Sequence, residues 1–202
     1  MEFALRAPVL EFRDPLAEFL GVLPPAGRFR YTYWDAVRLS GHSCPTVAGA
    51  YLMTVRALGA LYPGEVPVRG EVEVVVGGEP GDGSAGPISQ VIALLTGAAT
   101  DTGFRGLMGR WSRRGLLRFD GELAGRVRFR RADTGRTVEV MVEPGSLPHD
   151  PSLGDLFARS MSGGASEEEA RRFGELWQEQ VAALLSSDPG RSVRLREIES
   201  GR

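Results

Sequence analysis

Cys44 is the only cysteine in the 202-residue chain, and His42, one of two histidines, stands two positions before it in Gly41-His42-Ser43-Cys44-Pro45. Imidazole and thiolate are the donors that zinc and related borderline metals favour. Proline is preferred at the first position of a helix, where its missing N–H would have had no partner, so Pro45 marks a helix start and Cys44 its cap. Free backbone amides and the helix dipole stabilise an anion at that end, which favours the Cys44 thiolate over the thiol. Three readings stay open. The pair ligates a metal ion, with Asp35, Asp82, Asp101, Glu143, His149 or a second copy of the chain adding donors. Alternatively His42 serves as base for a Cys44 nucleophile oriented by Asp35. In the third, Cys44 only caps a helix.

A second stretch, Thr96 to Arg110, carries glycine at Gly103, Gly106 and Gly109, followed closely by further arginines around Trp111. Glycine at that density lets backbone approach a ligand closely, and Arg105 and Arg110 with Gly103 and Gly106 could hold an anion or an anionic cofactor. A solvated basic turn is the plainer reading. The stretch does not follow a strand and open a helix, so it is no dinucleotide fingerprint. Residues 77–86 form another glycine-rich loop, which Pro87 delivers onto an apolar helix. It reads as an exposed loop or as an anion site at a helix N-terminus.

These segments need elements to hold them. The spacing predicts a buried helix from Pro45 to about Leu61, apolar or small all round except for Arg56. Val72, Val74 and Val76 alternate with Glu71 and Glu73, as a strand requires. Leu116–Phe119 reads as a short strand. Val127–Arg131 and Arg136–Val142 flank Asp133 and Gly135 and read as a β-hairpin. A helix is expected over Leu153–Met161. Ser166 and Glu169 form a capping box that opens a longer helix to about Leu185, with Phe173, Leu176, Trp177, Gln180, Val181, Leu184 and Leu185 as its apolar stripe. Met1–Phe29 reads as an arm with one short amphipathic piece at Pro15–Leu20, and Tyr31–Val37 as a short helix or turn. The tail from Ser186 reads as polar and loose. This order implies an α+β domain, with helices packed on one face of a mainly antiparallel sheet. The expected organisation is one domain over 1–202: an arm over 1–30, a core over 31–145 and a helical extension over 146–202.

Composition bounds the partners. With 42% hydrophobic residues and a formal charge of -2, the chain can bury a full core and gives no global reason to bind nucleic acid or an anionic membrane. All 24 of its lysine-plus-arginine positions are arginine. No apolar run reaches spanning length, residues 1–25 lack a signal-peptide core, and one cysteine cannot form an internal disulfide. Cytoplasmic residence is therefore expected.

Gly41-His42-Ser43-Cys44-Pro45, followed by Ala48-Gly49 and a buried helix, resembles the His-Gly-His-x-Cys-Pro-Gly signature of the FmdE family, named for a component of formylmethanofuran dehydrogenase. Leu95-Thr96-Gly97 with the glycines after it is similar to that family's Thr-Gly-Cys-Thr-x-Gly-Lys-Gly segment. The similarity runs from about Trp34 to Phe119. It implies a fold related to the C-terminal domain of glyceraldehyde-3-phosphate dehydrogenase, with added C-terminal helices here. It also implies a homodimer, and zinc or another divalent transition metal near His42 and Cys44; Asp35 and His149, from the residues alone, are the candidates for completing the site. Ala98 stands where the family segment has cysteine, and that segment's lysine is absent. An enzyme acting on a small anionic substrate, or an accessory module for a pterin-type anionic cofactor held by Arg105 and Arg110, are the alternatives.

Overall fold

The computed structural model describes every residue except Met1, Pro144, Ser146, Pro148, His149, Ser187 and 199–202; His149 thus lies outside the described residues. Its central element is helix α3, Pro45–Leu61, which follows the short helices α1, Pro15–Phe19, and α2, Tyr33–Ser40. Val47, Tyr51, Leu52, Ala57, Leu58 and Leu61 are fully buried along it, as a helix without a polar face must be. The small residues on α3 serve close packing. A Cβ on Gly49 would lie 2.7 Å from Val142 Cγ2, so glycine there brings the helix against the sheet.

The strands are β1, Leu10–Phe12; β2, Phe29–Tyr31; β3, Val72–Gly77; β4, Leu117–Asp120; β5, Val127–Arg131; β6, Thr137–Val142; and β7, Val193–Ile198. The first two form an antiparallel pair, Leu10 opposite Tyr31. The other five form one sheet in the order β4-β3-β5-β6-β7, in which only β3 and β4 run parallel. Helix α4, Ala85–Thr96, makes the crossover that a parallel pair needs. Val72, Val74, Val76, Val127, Phe129, Val138 and Val140 are buried in the same hydrophobic cluster as α3 and α4. The opposite face of the sheet carries Glu73, Arg128, Arg130, Glu139 and Arg196. The fold is therefore α+β with a mixed sheet, as the sequence implies.

Three more helices complete the chain: α5, Leu153–Met161; α6, Glu167–Ser186; and α7, Pro189–Ser192. The Ser166 capping box is present, Ser166 N donating to Glu169 Oε2 at 2.8 Å and Glu169 N to Ser166 Oγ at 3.3 Å. Leu176, Val181, Leu184 and Leu185 of the stripe are buried. Two expectations change. The tail is not loose, because residues 193–198 pair with β6 along their whole length, Val142 opposite Val193 and Thr137 opposite Ile198. Its polar appearance comes from alternation: Val193 is buried, while Arg194 and Arg196 turn outward onto Glu143 and Glu139. Helix α4 begins at Ala85, two residues before Pro87. Among the described residues, no helix is long and apolar enough to cross a membrane.

Candidate functional site

His42, Ser43 and Cys44 make the tight link between α2 and α3. Helix α2 opens on Thr32, whose N–H and Oγ1 both donate to Asp35 Oδ2, at 2.7 and 2.9 Å. It closes at Gly41, whose φ of +73° suits glycine and reverses the chain, while its N–H returns to Val37 O at 2.8 Å. Cys44 then caps α3 as expected, extended in backbone, its Sγ accepting the Val47 N–H at 3.5 Å. The sulfur is buried at the N-terminal end of α3.

His42 is exposed, and its Nδ1 lies 2.9 Å from the Ser40 carbonyl. A carbonyl only accepts, so Nδ1 is the donor in this contact, and Nε2 is the ring nitrogen it leaves without that partner. Ser43 is clamped between them. Its Oγ shares a 3.0 Å hydrogen bond with the Tyr33 hydroxyl, and its carbonyl accepts from Trp177 Nε1 at 3.2 Å and Gln178 Nε2 at 3.1 Å. Burial pushes the Tyr33 phenol up to about 12 against the pull of the Ser43 hydrogen bond, so it stays neutral. Trp177 lies 5.6 Å from Phe173, and Phe173 lies 5.8 Å from Phe157, so an aromatic row ties α5 and α6 to the link. The sequence pattern puts Trp177 in a packing stripe and does not show that α6 grips Ser43. The only local signal was an indole at the polar edge of that stripe, a group that seeks an acceptor when buried.

The donor set tests the metal. His42 Nε2 and Cys44 Sγ suit two positions of a zinc ion, which takes four. Asp35 does not add a third: Oδ2 caps Thr32 and Oδ1 takes Arg38 Nη1 at 3.3 Å, at the opposite end of α2 from His42. Glu143 is held by Arg194, and Asp82 closes a turn through the Glu79 N–H. Among the described residues, no three side chains of His, Cys, Asp or Glu gather as a metal-binding group.

The second glycine-rich stretch lies elsewhere. Gly97 ends α4 beside Arg69 and Arg113, and Gly70 N bonds Thr96 O at the start of β3. Cys44 sits instead by the far end of the sheet, where Gly49 meets Val142. Within one chain, Arg105 and Arg110 are therefore not brought to His42 and Cys44. Two glycines of this stretch, Gly103 and Gly106, answer local packing and backbone demands. A Cβ on Gly106, with φ +85°, would lie 2.1 Å from Arg110 O, and one on Gly103 would lie 2.5 Å from Ala99 Cβ. Arg105 is exposed, and Arg110 stacks on Trp111 at 4.3 Å. Arg113 and Arg69 turn inward onto Asp14, at 2.7 and 3.3 Å.

Comparison with known proteins supplies the family. The model of the family described as "FmdE, Molybdenum formylmethanofuran dehydrogenase operon" matches residues 39–192, from the end of α2 through α7. The chain belongs to the FmdE family. The matched span includes the His42–Cys44 link and the α6 segment that grips it. Among solved structures, the chain is similar to a tungsten formylmethanofuran dehydrogenase FmdE-like protein from Syntrophus aciditrophicus, at 15% identity over 85% of this chain and 74% of that one, with a TM-score of 0.43. No curated protein matches.

Proposed function

We propose that this FmdE-family protein binds a divalent transition metal ion, zinc by the character of the donors, through His42 Nε2 and Cys44 Sγ. The observation that supports it most is the orientation of His42: its Nδ1 donates to the Ser40 carbonyl, so Nε2 is the nitrogen left for a metal, two residues from a sulfur at a helix cap. Ser43, held by Tyr33, Trp177 and Gln178, fixes the backbone from which both donors project. The remaining positions are filled from outside the described residues of one chain, by a second copy in a homodimer or by a small molecule. Exposed Phe157 and Met161 on α5 support self-association. A zinc ion held with positions open would act as a Lewis acid on a small ligand.

Elemental analysis of protein purified without added metal, repeated on Cys44→Ser and His42→Ala, tests this reading. About one equivalent of zinc in the wild type and loss in both variants is expected. Metal content unchanged by either substitution, or no metal retained after dialysis against zinc, overturns it. Light scattering on the same samples reads the dimer.

A further inference from the structure

The face of the sheet turned away from α3 and α4 holds an unbalanced group of charges. Glu139, on β6, is only 3% exposed. Arg128 donates to its Oε1 through Nε at 3.1 Å and Nη2 at 2.7 Å. Arg126 Nη1 and Arg196 Nη2 reach its Oε2 at 3.1 and 2.8 Å. Arg128 and Arg196 stand directly opposite Glu139 on the two neighbouring strands, so the row is set by strand register rather than by chance side-chain contact. Nearby pairs balance: Arg194 with Glu143, Arg130 with Glu73. The Glu139 group does not, since one carboxylate faces three guanidinium groups and leaves two positive charges in excess.

That excess borders a concavity of about 210 Å³ lined by Arg126, Glu139, Val140, Met141, Arg194 and Arg196. Arg196 is 65% exposed there, and among the described residues only its Nη2 is engaged, so Nε and Nη1 remain as donors. Guanidinium groups match the paired oxygens of a phosphoryl group. Two excess charges match a dianion. A second copy of the same face would meet it with like charge.

We propose that this groove is a binding site for a phosphoryl dianion, free or carried on a small molecule, separate from the His42–Cys44 link. Its test is isothermal titration of the full chain with inorganic phosphate and with AMP at fixed ionic strength. Wild-type protein, Arg196→Ala, Glu139→Gln and, as a distant control, Arg159→Ala are compared, with thermal unfolding of each recorded. Submillimolar binding is expected, weakened at least tenfold in Arg196→Ala and unchanged in Arg159→Ala. Glu139→Gln removes the one negative charge and should bind more tightly in any preparation that still unfolds cooperatively. A purely structural arginine row predicts no such gain. Binding of both probes identifies a free phosphoryl site, and binding of AMP alone a phosphate ester site. No heat with either probe, or equal affinity in wild type and Arg196→Ala, overturns the proposal.

Discussion

The indole Nε1 of Trp177 donates to the main-chain carbonyl of Ser43 across 134 positions of sequence, at 3.2 Å. Together with Gln178 it makes the C-terminal helix α6 part of the link that carries His42 and Cys44. The carbonyl sits between two potential ligands, so its position sets where both side chains start.

Removing that grip should loosen the link. Trp177→Phe keeps the stacking on Phe173 but loses one hydrogen bond, at a cost of about 1 kcal/mol. Adding Gln178→Leu leaves the carbonyl without either donor, and about 1–3 kcal/mol more is expected for a buried acceptor left unpaired. Urea denaturation reads both. If the double variant is as stable as wild type, α6 does not hold the link.

Cys44 has a capping role that can be separated from its role as ligand. Cys44→Ala removes the acceptor for the Val47 N–H and should cost about 0.5–1 kcal/mol, whereas Cys44→Ser supplies a better cap and should match or exceed wild-type stability. Zinc at about 100 times its dissociation constant should raise wild-type stability by about 2.7 kcal/mol and leave Cys44→Ser unmoved. A zinc-induced shift retained in the serine variant counts against the sulfur as ligand.

The starts of α3 and α6 follow from local chemistry, which is why they are legible in the sequence. Pro45 with Cys44 before it, and Ser166 with Glu169 after it, settle their hydrogen bonds within one turn, so a sequence window contains the whole cause. The hairpin of β5 and β6 is equally local, its turn residues lying between alternating runs. Strand β7 was not legible, because Arg194 and Arg196 look like a polar tail until Glu143 and Glu139, more than fifty positions earlier, receive them. At the candidate site, residue type singles out His42 and Cys44. Spacing did not reveal that Asp35 is spent on Thr32, nor that Trp177 and Gln178 arrive from α6.

Acid should weaken the sheet through Glu139. Burial alone would raise its pKa, but hydrogen bonds and charge from Arg128 and Arg196 outweigh burial and hold it below the ordinary value of about 4.3. A carboxyl depressed by folding contributes stability that is fully present above its unfolded pKa and is lost as pH falls through that value toward the folded one. Denaturation midpoints should therefore drop as pH falls below about 4.3. Glu139→Gln should start about 1–2 kcal/mol lower at pH 7 and show a shallower acid loss. Parallel pH profiles for the two proteins would remove Glu139 from the cause.

Gly70 is fixed by the arginine behind it. Its φ is +85°, and a Cβ there would fall 1.6 Å from Arg113 Nη1. Arg113 is 7% exposed and bonded to buried Asp14, so it cannot swing into solvent without leaving that carboxylate. Gly70→Ala combines backbone strain with displacement of a buried cation, and a loss of at least about 2 kcal/mol is expected. Wild-type-like thermal unfolding of this variant would mean that the Arg113 pocket yields.

Asp14 carries the largest single prediction, because it does two jobs at once. Its Oδ1 caps α1 through the Leu16 and Ala17 N–H groups and also accepts Arg113 Nη2, while Oδ2 faces Arg69 Nη1. Deleting one partner of a buried ion pair costs about 3–5 kcal/mol, since the cation left behind is neither solvated nor neutralised. Burial already pulls the Arg113 pKa down while Asp14 opposes it, so the unpaired guanidinium is the costly species. Asp14→Ala should therefore unfold the chain at markedly lower urea, and Asp14→Ala with Arg113→Met should recover part of the loss. A double variant no more stable than Asp14→Ala would assign the cost to the α1 cap and Arg69 instead.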